Sequence, residues 1–486
     1  VLSYLESPSK GILIADEVGL GKTIEAGIIW TEIRARFDAR RLLVVCPAML
    51  REKWKSELAI RFGISAEILD ARELYDFLKK DRQAIPDGKA IICSVQGIRP
   101  PKGWNNEAEL GDNPRVALAK YLDNKCDEEP IVDMTIIDEA HYMRNPGSQN
   151  FTLGKLLRGI SDGLVLLSAT PVNLSNDDLY YLLNLADPDS FGVKSVFPQV
   201  LKANEPLQRA RELCLNLNSS IADIRSLLEQ AYSHLLLKKN KQLEALLSKD
   251  LNSFNLSNKG DRVSLANKIE RINLLKNSVT RTRKAEVSEW RVIREPVVAR
   301  IPLPEDSVEW RFYDGVTTAI RRYAWDNNIS DGFLLSVPQR QVSSCMYAAA
   351  KAWKDNNFNT SEMVYEDLGY EYIRTENKSP LIREIVRDIL PKIDLAELRE
   401  HDSKYKGLKN SVFDFLSDQP KEKIIVFSYF RNTLHYLHER LEQDGLGSVV
   451  LVGGQNEPKH VLIERFKNDP KLRVLLSSEV ASEGVD

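Results

Sequence analysis

The sequence predicts an α/β fold of two parallel-sheet lobes with a largely helical segment between them, and three observations predict it. Short apolar runs recur through residues 1–195, each closed by small or polar residues and separated by stretches of helical character. Strands buried on both faces of a parallel sheet look like this. From 200 to 300 the texture changes to apolar residues spaced three and four apart, the mark of amphipathic helices. Strand-like runs then return beyond residue 420. The expected division is residues 1–195 as a first lobe, 196–300 as a helical insertion and linker, and 301–486 as a second lobe with a helical N-terminal part.

Taken in chain order, Gly-Ile-Leu-Ile-Ala at 11–15 is a short apolar run leading into a glycine-containing loop, and Ile24–Ile33 reads as the helix that follows. That is strand, loop, helix. Further strand candidates are Leu42–Cys46, Ala90–Cys93, Met134–Ile137 and Leu164–Leu167. In the middle segment Ile221, Ile224, Leu228, Ala231 and Leu235 share a helix face, and Leu243, Leu246 and Leu247 continue an apolar face. The mostly polar Asn252–Asp261 reads as a loop. The second lobe offers strands at Ile424–Ser428, Val449–Val452 and Val474–Ser477, with helical periodicity at Leu434, Leu437 and Leu441 and over Val461–Phe466.

Composition narrows the function classes. The chain has 486 residues, a net charge of -3 and a pI near 6.2, which excludes a uniformly basic nucleic-acid binder but leaves room for a local phosphate-binding track. No window approaches the roughly 18 apolar residues of a membrane span, and the N-terminus shows no signal peptide. The five cysteines are scattered without a C-x-x-C pair, so they read as reduced thiols of a cytoplasmic protein.

Two constellations carry chemistry. Residues 14–23, "IADEVGLGKT", end like a phosphate-binding loop, although G-x-x-x-x-G-K-[ST] wants glycine where Asp16 stands. Gly19 and Gly21 let the backbone approach a ligand, and the amides of the loop and the next helix favour an anion. Lys22 is placed to reach the β- and γ-phosphates of ATP and Thr23 to ligate Mg²⁺. At 134–141, "MTIIDEAH" delivers two adjacent acids at the carboxyl end of an apolar strand, the edge where open α/β sheets bind ligands. Asp138 is expected to hold Mg²⁺ and Glu139 to polarise the attacking water. Adjacent carboxylates repel, so a cation is expected beside them. Ser168, Ala169 and Thr170, in "LVLLSATPVN", follow another buried strand and are candidates for sensing the acid pair and His141.

Together these segments resemble the Swi/Snf-type ATPases of helicase superfamily two. Asp16 through Thr23, including Leu20, is similar to that family's motif I, in which the Asp is usual. "LVVCPAML" from Leu43, with Trp54 after it, resembles motif Ia; "DEAH" at 138–141, motif II; "SATP" at 168–171, motif III; "KIIVFSYF" from Lys423, motif IV; and "SSEVASEGVD" at the end, motif V. "TRTRKAEV" at 280–287 resembles the segment that opens the second lobe, and "VGLGKTIEAG" leans toward the bacterial RapA-like branch.

The resemblance implies two RecA-like lobes, parallel sheets flanked by helices, with ATP and Mg²⁺ between them. It implies Lys22, Asp138, Glu139 and His141 as catalytic residues, and Gly484 and Asp486 as the second lobe's contacts to phosphate. Double-stranded DNA is the expected track, gripped through phosphates. The candidate contacts sit on loops after strands: Pro47, Arg51, Ser94, Gln96, Ser428, Arg431 and Ser478. Trp54 is expected to pack in the core rather than stack on a base. The chain stops inside motif V, before the family's arginine fingers, and is expected to be an excerpt that binds nucleotide but hydrolyses it poorly. Protein partners in a larger bacterial assembly, in transcription or antiviral defence, are also implied. A strand-separating helicase and a nucleotide-gated scaffold are the rival readings.

Overall fold

The computed structural model describes residues 1–17, 19–80, 89–105, 112–126, 128–168, 175–216, 219–282, 297–327, 331–355, 380–452, 457 and 459–478. Contacts divide the chain into two units, Val1–Val292 and Ile293–Asp486.

The first unit is built on a seven-stranded sheet. Its strands are β1 (Gly11–Ile14), β2 (Leu42–Cys46), β3 (Ser65–Ile68), β4 (Lys89–Ser94), β5 (Val132–Ile137), β6 (Ser161–Leu167) and β7 (Val279–Thr280). They lie in the order β3-β4-β2-β5-β6-β1-β7, and every pairing is parallel. The apolar runs serve two cores at once. Ile12 and Ile14 of β1 face one side and Leu13 the other; Leu42, Val44 and Cys46 of β2 alternate likewise with Leu43 and Val45. A slip of one residue would exchange the two faces wholesale.

Helices close both sides. Lys22–Phe37 contributes Ala26, Ile29, Trp30 and Ile33 to one core. Gln149–Ile160 and Asn176–Ala186 contribute Leu153, Leu157, Leu182 and Leu183 to the other. Each fully buried side chain of this size is worth about 1.5–3 kcal/mol. Ser148 and Ser175 cap the starts of the latter two helices through their hydroxyls.

Two strands lack the apolar run that marks the others. In β3, Ser65 and Glu67 are exposed and only Ala66 is buried, as suits a short edge strand. β7 comes from the stretch read as helical insertion and linker. It pairs Leu13 with Val279 and Ile14 with Thr280, so the chain returns to the first sheet after the helices.

The helices Phe197–Leu215, Ile221–Ser233, Lys241–Ala245 and Lys259–Glu270 enclose a core of their own that includes Leu207, Ile224, Leu228, Leu243 and Ile269. Two expectations for this segment need correction. Leu235 is 81% exposed, because the helix ends at Ser233 before the apolar spacing does. The polar run 252–261 is not all loop: Asn258 caps the helix Lys259–Glu270 by accepting from the Gly260 amide, so the polarity marks a helix start.

The second unit holds the parallel strands β8 (Ile424–Phe427), β9 (Gly447–Leu451) and β10 (Leu472–Ser477), ordered β8-β10-β9. Helices including Val308–Asp326, Met346–Lys354 and Ser403–Asp418 precede them, and Phe312, Ile320, Trp353 and Ile385 form part of a separate helical core. Leu434, Leu437 and Leu441 are buried on the helix Arg431–Gln443. Leu462 and Phe466 are buried on Lys459–Asn468, whereas Val461 is exposed. Among the described residues no helix is long and apolar enough to cross a membrane.

Candidate functional site

Because the first sheet is wholly parallel, every strand delivers its carboxyl end to the same edge. β6 lies between β1 and β5, with Ile14 beside Leu167 and Ile137 beside Leu166. The glycine loop after β1 and the acid pair after β5 therefore leave the sheet at one level, one strand apart.

Gly19 and Gly21 adopt φ of 82° and 90°, a left-handed backbone that an L side chain enters only at a cost. Gly21 is the N-cap of the helix Lys22–Phe37, so Lys22 and Thr23 occupy its first turn, where free amides favour an anion. The Lys22 ammonium donates to the Asp16 carbonyl at 3.0 Å. The Asp16 side chain is 1% exposed and points away from solvent: one carboxyl oxygen accepts the Thr282 amide at 2.5 Å. Glu25, one turn into the helix, hydrogen-bonds Asp16. Burial first, then Asp16's hydrogen bond and charge, push the Glu25 carboxyl up to about 8, so it carries its proton at neutral pH.

Asp138 is 8% exposed. Burial, and behind it the charge of Glu139, push its carboxyl up to about 6; hydrogen bonds from Trp54 and the Glu139 amide and the nearby charge of Lys22 pull the other way. Trp54 Nε1 donates to Oδ2 at 2.8 Å and the Glu139 amide to Oδ1 at 2.9 Å. Glu139 itself sits at φ 51°, ψ 47°, a left-handed conformation for a non-glycine residue and the kind of strain that collects at working sites. His141 Nδ1 lies 3.2 Å from Glu139 Oε2 without hydrogen-bond alignment, and its ring packs on Tyr142.

The donors suit a hard divalent cation: the Thr23 hydroxyl and the Asp138 carboxylate offer oxygen, and the two neighbouring carboxylates call for positive charge. Among the described residues no three His, Cys, Asp or Glu side chains form a metal cluster. A cation here would complete its shell with water and phosphate oxygens, as Mg²⁺ characteristically does.

Ser168 follows β6, between the two motifs. It is fully buried, its amide donates to the Ile14 carbonyl, and its hydroxyl has no partner among the described residues. Ala169, Thr170, Gly484 and Asp486 lie outside the described residues.

The candidate nucleic-acid contacts divide by exposure. In the first unit Pro47 and Ser94 are buried, and the Ser94 hydroxyl caps the short helix Val95–Ile98 through the Gly97 amide. Arg51 and Gln96 are part-exposed at the same carboxyl edge. Arg51 also lines an open cleft of about 420 Å³ with Lys55, Glu52 and Glu67. In the second unit Ser478 is buried, while Ser428 and Arg431 are part-exposed after β8.

Three residues of this environment were not legible as site residues: Trp54, Glu25 and Thr282. Trp54 is the packing residue the sequence suggests, at 2% exposure, but its polar edge reaches the acid pair. Glu25 carries the clearest local signal, standing one helical turn after Lys22.

Comparison with known proteins bears on this geometry. The SNF2-related domain matches residues 1–326, and the helicase conserved C-terminal domain matches residues 404–486. The chain belongs to the SNF2-related family. Its parallel sheets flanked by helices fit the two RecA-like lobes of these Swi/Snf-type, helicase-like ATPases. A curated relative, the RNA polymerase-associated protein RapA of Photobacterium profundum, is 28% identical over 202 residues. That match takes in 41% of this chain and 19% of the relative's length.

Among solved structures, the Sulfolobus solfataricus SWI2/SNF2 ATPase core in complex with dsDNA is 15% identical, with a TM-score of 0.31 over 98% of this chain and 75% of that one. The Pyrococcus furiosus Hef helicase domain is 15% identical, with a TM-score of 0.38 over 100% of this chain and 86% of that one. Membership of the SNF2-related family rests on the two domain matches.

Proposed function

We propose that the chain binds ATP with Mg²⁺ on the carboxyl edge of the first sheet, hydrolyses it, and couples the reaction to movement along double-stranded DNA within a larger bacterial assembly. The observation that carries the reading is the shared level of the Lys22–Thr23 turn and the Asp138–Glu139 pair on either side of β6. Family membership supports the ATPase chemistry. The relative's association with RNA polymerase makes a transcription-linked assembly one concrete setting; antiviral defence is the other setting that the sequence resemblance suggests.

In this reading the amides of the glycine loop and the Lys22 ammonium hold the phosphates. Thr23 Oγ1 and the Asp138 carboxylate would hold Mg²⁺, which supplies neutralisation of the charge developing on the transferred phosphoryl group. Glu139 orients a water and takes its proton as that water attacks the γ-phosphorus; ADP leaves with the cleaved bridging oxygen. His141, beside the Glu139 carboxylate, orients it. Ser168, between the two motifs with a hydroxyl unpartnered among the described residues, is placed to respond when phosphate is lost. Arg51, Gln96, Ser428 and Arg431 are the part-exposed candidates for the phosphate track.

The test has two stages. Lys22→Ala should weaken ATP binding, and Glu139→Gln should retain binding while abolishing turnover at unchanged melting temperature. Triplex displacement driven by ATP, without unwinding of a forked duplex, would then establish translocation. Normal turnover in Glu139→Gln would reject the site; no stimulation by double-stranded DNA of the full-length protein's turnover would reject the track.

A further inference from the structure

Trp54 lies on the first turn of the helix Arg51–Phe62, in the core on the same side of the sheet as Trp30. Its indole N–H donates to Asp138 Oδ2 at 2.8 Å across 84 residues, while the other carboxyl oxygen takes the Glu139 amide at 2.9 Å. One donor on each oxygen fixes the rotation of the carboxyl group and leaves the remaining lone pairs in a defined direction.

Packing alone does not demand the Trp54 bond. Trp30 is also fully buried in that core, and its Nε1 has no partner among the described residues. The chemistry of the donor also matters. An indole N–H is neutral and donor-only, so it orients a carboxylate without placing a positive charge against an arriving cation, as a lysine or arginine would. Its rigid bicycle has little freedom to swing away.

We propose that Trp54 is a positioning residue: it holds the Asp138 carboxylate ready for the divalent cation that enters with the nucleotide. The inference rests on the ATP–Mg²⁺ reading above. Trp54 touches neither cation nor nucleotide; it acts through Asp138. Losing such a partner of a metal ligand typically lowers metal affinity about 10–100-fold.

The test replaces the indole of Trp54 with benzothiophene, as 3-benzothienylalanine, which keeps the shape and deletes the N–H. Mn²⁺ affinity is read by electron paramagnetic resonance in the presence of adenylyl imidodiphosphate, which requires no turnover. The isostere should bind Mn²⁺ roughly 10–100-fold more weakly, with its melting temperature and its metal-free affinity for the analogue unchanged. Trp54→Phe should show the same Mn²⁺ defect together with a lower melting temperature. Unchanged Mn²⁺ affinity in the isostere overturns the inference. Absence of analogue-dependent Mn²⁺ binding in the unsubstituted chain overturns the nucleotide-site reading itself, and this inference with it.

Discussion

The Asp16 carboxylate accepts the Thr282 amide at 2.5 Å across 266 residues of chain. The bond continues a series: Leu13, Ala15 and Glu17 donate their amides to the carbonyls of Ser278, Thr280 and Thr282. Asp16, the residue that departs from the common phosphate-loop pattern, thus fastens the chain that follows the helical segment onto the glycine loop. Asp16→Ala would leave the Thr282 amide and the Glu25 carboxyl without their acceptor. A fully buried donor so stranded costs about 1–3 kcal/mol, and the part-buried Thr282 amide up to that. The urea midpoint of the first unit should fall accordingly, and nucleotide affinity with it; an unchanged midpoint would show that water replaces the bond.

Glu25 makes stability depend on pH in an unusual direction for a carboxyl group. Its folded value, about 8, lies above the ordinary 4.5, so the folded chain holds a proton that the unfolded chain has released over that interval. Stability contributed by this group is complete below 4.5 and is lost as pH rises toward 8. Glu25→Gln keeps a hydrogen-bond donor for Asp16 and cannot ionise. Its thermal midpoint should therefore decline less between those pH values than that of the unsubstituted chain; parallel declines would exclude Glu25 as the source.

The left-handed backbone of Glu139 predicts a trade of activity against stability. That conformation costs a non-glycine residue about 1–2 kcal/mol. Glu139→Gly should raise the stability of the first unit by about 1 kcal/mol, helped by relief of the repulsion on Asp138, while ATP turnover disappears. Calorimetry beside a phosphate-release assay checks both; a destabilised variant would mean that the Glu139 side chain supports the turn.

How much of this was legible in the sequence depended on how local the cause was. Leu42–Cys46 was readable to the residue because burial on both faces leaves an uninterrupted apolar run. The glycine loop before the helix and the adjacent acids after β5 were readable as local structure because each is a contiguous arrangement on one turn. β3 was not, since an edge strand needs only Ala66 inside, and neither was β7, two residues long and recruited by β1. Leu235 misled because apolar spacing outlasted the helix that began it. The partners of Asp138 and Asp16 were beyond reach for a common reason: Trp54 and Thr282 are brought there by sheet order, and nothing in their neighbourhoods announces the acid each will meet.

β7 has a consequence for how the protein is made. The loop that begins at Ala15 leaves the ribosome well before its partner, because Thr282 follows Asp16 by 266 residues. At about 5–20 residues per second, that interval is roughly 13–53 s. For that time the nascent loop carries a buried-type carboxylate with no amide to receive, and the flank of β1 stays open to other extended chain. A pause or chaperone acting in that window would bear on the yield of competent protein more than one acting after Thr282 has docked.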